Sequence, residues 1–266
     1  MEPETHPTGR EHHLGGNVST VVRIADTVRR GTGPWTPAVH ALLRHLEVVG
    51  FDGAPRVQGI DEQGREVLTY LSGDVPRRAS PEIMTDWVLV ELGRLLRRYH
   101  DAVAGFELQP EVTWHRAKVP APVTVVCHND ISPRNTVFRD GRPAAFLDWD
   151  FAAPAPPAWD VAHVAWQFVP LAGDAGCARH GWPSPPDRAR RLRTLCDAYG
   201  LAEGDRPDFA QLVARRIAVT ASGIEGLAAA GNPAHERLVA ADIPTLVRAD
   251  QGWVEQQAHR LNRALL

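Results

Sequence analysis

The segment from Val123 to Ala152, VTVVCHNDISPRNTVFRDGRPAAFLDWDFA, limits the folds open to this chain more than any other. It begins with a short apolar run, Val123 to Cys127, that reads as a buried strand. A polar turn follows, packing His128, Asp130 and Asn135 into eight residues. Thr136 to Phe138 and Ala144 to Leu147 then bracket the turn Arg139-Asp140-Gly141-Arg142, an Asp-Gly hairpin signal. Asp148 stands directly after the second arm. A buried strand has no use for so many polar side chains, because each must find a partner. The hairpin brings the oxygens of Asn135 and Asp148 to one point despite their separation in sequence.

The flanking patterns differ on the two sides. Val18 to Ile24 and Thr27 to Arg30 read as a hairpin turning at Ala25-Asp26. Val39, Leu42, Leu43 and Leu46 lie on one helical face. Arg56 to Ile60 and Glu66 to Leu71 are two further strands joined at Asp61 to Gly64. Ser72-Gly73-Asp74 reads as a linker. Ser80, with Pro81 behind it, is expected to cap a long helix reaching about Ala104. Beyond the hairpin, Ala153 to Pro157 reads as a stiff connector, and the rest as helices near 160–170, 187–199, 208–230 and 236–265. The expected class is α+β: a small β-rich lobe over residues 1–71 and a larger, mostly helical lobe over 72–266. A crevice between two lobes suits a nucleotide.

Composition narrows the partners. A formal net charge of −3 over 266 residues argues against binding nucleic acid by bulk electrostatics. Three scattered cysteines with no Cys-x-x-Cys pair argue against a disulfide framework or structural zinc. There is no signal-peptide pattern and no apolar run of about 20 residues. The expectation is a soluble cytoplasmic protein with no nucleic-acid or membrane partner; oligomeric state is left open. Lys118 is the only lysine, so a site needing a cation must otherwise use arginine.

His128-Asn129-Asp130, Leu147-Asp148-Trp149-Asp150-Phe151-Ala152 and Trp159-Asp160-Val161-Ala162 together resemble the aminoglycoside phosphotransferase family of small-molecule kinases, which share the protein-kinase-like bilobal fold. The resemblance is specific over residues 126–165 and covers most of the chain only in layout. It implies ATP (or GTP) and Mg²⁺ as cofactors and a small hydroxylated acceptor. Asp130 would accept the acceptor's proton, and Asn135 and Asp148 are hard oxygen ligands for Mg²⁺. His128 would brace the loop. Asp150 either touches the metal or supports the site from behind. Asp160 would cap the next helix or, by the resemblance, tie that helix to the catalytic loop. Arg134 either reaches phosphate or faces solvent.

In the small lobe, Gly15, Gly16, Asn17 and Ser19, with Thr20, are either a phosphate-covering flap or ordinary turn residues. Arg29 falls where the family carries its phosphate-binding lysine, and Arg30 is expected on the opposite strand face. The family's partner acid early in the next helix is missing, since Glu47 lies near that helix's end. Thr69, Tyr70 and Leu71 either hold adenine or are a plain strand end. Trp159, Trp166, Trp182 and Trp253 line an acceptor pocket or pack in the core.

The leading expectation is therefore a small-molecule O-phosphotransferase whose acceptor is left open between an aminoglycoside, another hydroxyl-bearing antibiotic and a metabolite, with resistance or self-protection as a plausible setting. The alternative is a non-catalytic kinase-like binding or toxin-immunity protein, since the small lobe is similar to family members labelled as toxin-immunity homologues. A protein kinase is disfavoured because no activation segment ending in Ala-Pro-Glu follows Asp148.

Overall fold

The computed structural model describes residues 12–13, 21–78, 80–108, 111–115 and 123–266. Gly15, Gly16, Asn17, Ser19, Thr20 and Lys118 lie outside these residues.

The first lobe is an antiparallel five-stranded sheet in the order β1-β2-β3-β5-β4, with one helix. The strands are β1 (His12–His13), β2 (Val22–Ile24), β3 (Thr27–Arg30), β4 (Val57–Ile60) and β5 (Glu66–Thr69). The tight turn between β2 and β3 puts Ala25 at φ 52°, the left-handed conformation that two-residue hairpin loops need. Asp61 closes the β4–β5 turn: its Oδ1 accepts the amides of Gln63 and Arg65, and Gly64 takes φ 74°. Helix α1 (Thr36–Val48) buries Val39, Leu42, Leu43 and Leu46, the stripe expected from their spacing.

Helix α2 (Asp86–Val103) starts later than expected. Its cap is Thr85, whose hydroxyl accepts from Val88 N, and Ser80 does not serve as the cap. The amides of Ile83 and Met84 both bond to Ser80 O at 3.0 Å, closing a separate turn, and the Ser80 hydroxyl is spent on Glu82. Side chains Val88, Leu89, Leu92, Leu95 and Leu96 of α2 fill the core.

Strand β6 (Val125–Cys127) enters the polar turn, and β7 (Thr136–Arg139) and β8 (Arg142–Phe146) form the hairpin, turning on Asp140 (φ 52°) and Gly141 (φ 73°). The segment expected as a stiff connector contains β9 (Ala153–Ala155), which pairs antiparallel with β6. The helices are α3 (Ala158–Phe168), α4 (Asp174–Arg179), α5 (Arg188–Tyr199), α6 (Phe209–Ala229), α7 (Pro233–Ala240) and α8 (Ile243–Leu265). The single helix expected over 236–265 is broken at Asp242, which has φ 57°. Pro244 follows it; proline fits only the first turn of a helix and disfavours helical backbone in the residue before it. Trp159, Trp166 and Trp182 are all buried side chains, which favours the core-packing reading for them. Among the described residues no helix is long and apolar enough to cross a membrane.

The connector is pinned to the hairpin. Asp74 and Phe138 exchange both backbone hydrogen bonds at 2.8 Å. Gly73, at φ 138°, sits so close that a Cβ there would stand 2.5 Å from Phe138 O. Gly73→Ala is therefore expected to lower stability by about 1–3 kcal/mol, measured by urea unfolding. An unchanged midpoint would show that the connector moves freely.

Candidate active site

The site is built where β6 ends. Asn129 is held at φ 66°, a strained value for a residue with a Cβ. The strain is held by surrounding bonds. Fully buried Asp160, near the start of α3, accepts His128 N at 2.7 Å and Asn129 N at 2.8 Å, and pairs with His100 Nε2 at 3.2 Å. Asp160 is not the helix cap; Pro157 holds that position. It is the tie between helix and loop. Burial alone would raise its pKa, but the hydrogen bond and charge of His100, with the His128 and Asn129 contributions, hold it at about 2.

That depressed value has a stability consequence. The contribution is fully present above the unfolded pKa near 3.8 and is lost as pH falls toward 2. A shift of this size is worth roughly 2 kcal/mol. Asp160→Asn is expected to remove this acid-linked slope and to lose stability at pH 7, read from urea unfolding at pH 3 and pH 7. An unchanged slope would assign the acid sensitivity elsewhere.

His128 is buried, and burial lowers its pKa, so the ring is neutral. Its Nε2 lies 3.0 Å from Leu147 O and its Nδ1 accepts from Asp130 N at 3.3 Å. The proton therefore sits on Nε2, and the ring clamps the turn to the residue before Asp148. Asn135 spends its amide nitrogen on Asp130, reaching the backbone O at 2.8 Å and Oδ2 at 2.7 Å. This leaves the Asn135 side-chain oxygen for a cation. Asn135 O in turn accepts Leu147 N at 2.8 Å. Asp148 itself has φ 60°, in the left-handed region. The Asp130 side chain keeps 35% exposure. Desolvation and the charge of Asp148 push its carboxyl up to about 7, against Arg216, Asn135 and Arg134.

The cation facing these acids is Arg30, not Arg29. The face of β3 and β5 that meets the core carries Val28 and Leu68, and strand alternation places Arg30 and Glu66 on that same face. Arg30, 6% exposed, bonds Glu66 through Nε, Asp148 through Nη1 at 2.7 Å, and Asp150 through Nη2. Arg29 turns the other way, toward Thr27 and Asp61. Burial opposes charge on Arg30, but Asp148, Asp150 and Glu66 outweigh it and hold the guanidinium protonated.

The acid missing from helix α1 is supplied by the sheet. Glu66 lies directly opposite Arg30 in the β3–β5 register. Its second oxygen lies 2.9 Å from His40 Nε2, so α1 contributes a histidine behind the acid. Burial raises Glu66, and His40 and Arg30 more than reverse that, leaving it low. Glu66 escaped the sequence reading because only strand register places it opposite Arg30, and His40 because only the packing of α1 brings it to Glu66.

Asp150, placed by Arg30 and hydrogen-bonded by Trp35, is raised by burial and by the neighbouring Asp148 and Glu66 charges despite the arginine. His115 packs edge-on between Trp35 and Phe151, with both ring centroids 4.5 Å away, and closes one side of the site. In the connector, Thr69 N bonds Arg56 O and Tyr70 N bonds Asp26 O, so neither amide is free for a base. Among the described residues the Leu71 N–H has no backbone partner. Arg134 is exposed.

His100, Cys127 and Asp160 lie close enough together to hold a metal ion. Their donor atoms are already committed: His100 to Tyr199 and Asp160, Cys127 Sγ to Pro156 O, and Asp160 to the loop amides. Burial also raises the Cys127 thiol well above its usual range, so it stays protonated.

The sequence model of the phosphotransferase enzyme family matches residues 103–212. The trifolitoxin immunity protein of Rhizobium leguminosarum bv. trifolii is 36% identical over 201 residues, covering 73% of this chain and 76% of that protein. A choline/ethanolamine kinase family protein from Mesorhizobium loti superposes with a TM-score of 0.63 at 17% identity, over 97% of this chain and 92% of that one. An amicoumacin kinase in complex with AMP-PNP, Ca²⁺ and Ami superposes with a TM-score of 0.62 at 13% identity, over 92% and 88% of the two chains. The structural likeness shows the fold: α+β and bilobal, with a small sheet lobe and a larger helical lobe.

Proposed function

The chain belongs to the phosphotransferase enzyme family, and from that footing we propose that it moves the γ-phosphoryl group of ATP or GTP onto a hydroxyl of a small molecule. One observation carries the reading. Asn135 joins Asp130 through its side chain and Leu147 through its backbone, so base and metal-ligand positions converge at one end of the β7–β8 hairpin. Phosphoryl transfer needs little more from a protein than this placement and charge neutralisation.

In this reading Asp130 takes the proton as the acceptor oxygen bonds to phosphorus and the bond to the leaving diphosphate oxygen breaks. Asn135 Oδ1 and the Asp148 carboxylate are hard oxygen donors of the kind Mg²⁺ takes, with Asp150 alongside. Held by these residues, such an ion would supply charge neutralisation for the phosphates. Arg30 assumes the phosphate-facing part expected of Arg29, with a planar fork that can hold two oxygens. Glu66 and His40 fix its position. Gly15, Gly16, Asn17 and Ser19 cover the phosphates, and Leu71 meets the base. We place the lobe boundary at residues 71–72, two residues beyond the end of β5 at Thr69.

The relative's designation as an immunity protein favours self-protection as the setting, with an antibiotic as acceptor. The same observation supports a second reading, a kinase-like immunity protein that binds without catalysis. A thermal shift with MgATP and MgGTP, followed by a screen of hydroxylated antibiotics for ADP or GDP release, separates the two. Nucleotide-dependent stabilisation with acceptor-dependent release supports the enzyme. Absence of any nucleotide shift supports the binding protein.

A further inference from the structure

Arg216, on α6, is a buried cation with no carboxylate in contact. It is 5% exposed, and no acid lies within ion-pair distance of it among the described residues. Its Nη2 donates to Asn129 O, its Nη1 donates to Thr220 Oγ1 at 2.6 Å, and its Nε has no partner among the described residues. The guanidinium carbon stands 5.5 Å over the Trp159 ring. Burying an unpaired charge is costly, and a neutral donor would satisfy one carbonyl. The charge therefore calls for an explanation beyond the hydrogen bond.

Its position suggests one. Asn129 O belongs to the peptide that leads into Asp130. The other groups of Asn129 are also tied: its amide to Asp160, and its side-chain nitrogen to Cys127 O, Phe151 O and Ala153 O. Arg216 is the tie on the carbonyl, so it sets the plane of the Asn129–Asp130 peptide. That plane decides where the Asp130 side chain leaves the backbone, at a residue whose φ of 66° would relax if released. The carboxylates whose charges act on the guanidinium are Asp160 first and then Asp130, the proposed base. His163 of α3, also buried, stands behind the same carboxylate, with Nε2 3.7 Å from Asp130 Oδ1.

We propose that Arg216 is a positioning residue for the phosphoryl transfer: from α6 it locks the Asn129–Asp130 peptide and holds a positive charge at that peptide. The role rests on the phosphotransferase reading. It links the loop to a helix that packs on α3, α7 and α8.

The test needs no knowledge of the acceptor, because water can stand in its place. MgATP and MgGTP hydrolysis by the full chain is followed as nucleoside diphosphate release, giving kcat and KM for the nucleotide. Misplacement of a reacting group costs about 10²-fold. Arg216→Met is therefore expected to lose roughly that factor in kcat, with KM within about twofold of wild type because the variant leaves every proposed nucleotide contact in place. Arg216→Lys should recover part of kcat, since it keeps the charge but not the fork.

Should Arg216→Met fail to fold, Thr220→Val removes one anchor of the guanidinium and is expected to lower kcat alone. Undiminished kcat in folded Arg216→Met, no recovery in Arg216→Lys, or a loss expressed in KM overturns the role while leaving the phosphotransferase reading intact. In the event that Met does not fold, undiminished kcat in Thr220→Val does the same. Absence of diphosphate release from the wild type with either nucleotide, both in water and across the hydroxylated antibiotics screened, overturns that reading and the role with it.

Discussion

Asp130→Asn is expected to reduce acceptor phosphorylation by about 10³-fold while leaving nucleotide binding nearly unchanged, because it removes the proton acceptor and none of the phosphate contacts. The proposed proton acceptor is the ionised form of Asp130, and burial with the nearby Asp148 pushes its carboxyl up to about 7. Wild-type turnover should therefore fall as pH drops below neutrality. A divalent ion bound at Asp148, as proposed, would offset one of the charges responsible and should move the midpoint lower.

The linkage to stability has the opposite sign from that of Asp160. The folded pKa of Asp130 lies above its unfolded value, so the folded state binds more protons between about pH 4 and pH 7. Stability contributed by this group falls as pH rises through that window. Asp130→Asn is expected to be more stable than wild type at pH 8 and about equal to it at pH 4. A variant that is inactive but gains nothing at pH 8 would mean that the carboxyl is not strained by its surroundings.

Arg30→Met should have the largest effect on folding. Arg30 is the shared partner of Glu66, Asp148 and Asp150, and methionine keeps volume while removing the charge. Breaking a buried ion pair by deleting one member costs about 3–5 kcal/mol, because the remaining charge is left uncompensated. Here three carboxylates remain, and their folded pKa values should rise above the unfolded ones. The variant should therefore lose stability as pH rises from 6 to 8. Glu66 in the wild type behaves oppositely: its low pKa makes its contribution present above the unfolded value and lost on acidification. Mg²⁺ should restore part of the loss in Arg30→Met, since a cation can occupy Asp148 and Asp150. Urea unfolding at pH 6 and pH 8, with and without MgCl₂, reads all three effects. Equal stability at both pH values would show that the three acids do not share one cation.

The periodic elements were legible because their signals are local. The α1 stripe from Val39 to Leu46, the Asp-Gly turn at 140–141 and the run from Cys127 to Asp148 each act within a few residues. The helix-terminal details were not. Ser80 and Thr85 both offer a hydroxyl at the right kind of position, and only the turn closing on Ser80 O decides between them. Local pattern reads 236–265 as one helix, and the break falls at Asp242, just ahead of Pro244.

The sequence by itself determined which groups are available for chemistry: Asp130, Asn135 and Asp148 on one strand-turn-hairpin unit, and arginine as the small lobe's cation. Short spacing and a tight turn leave such a unit few ways to fold. Tertiary structure decided which arginine faces the acids, which acid steadies it, and that α6 sends Arg216 to the catalytic loop. Adjacent strand residues differ only in the face they present, and register with β5 settles that face. Asn129 and Arg216 are 87 residues apart, and nothing local in either segment encodes their contact.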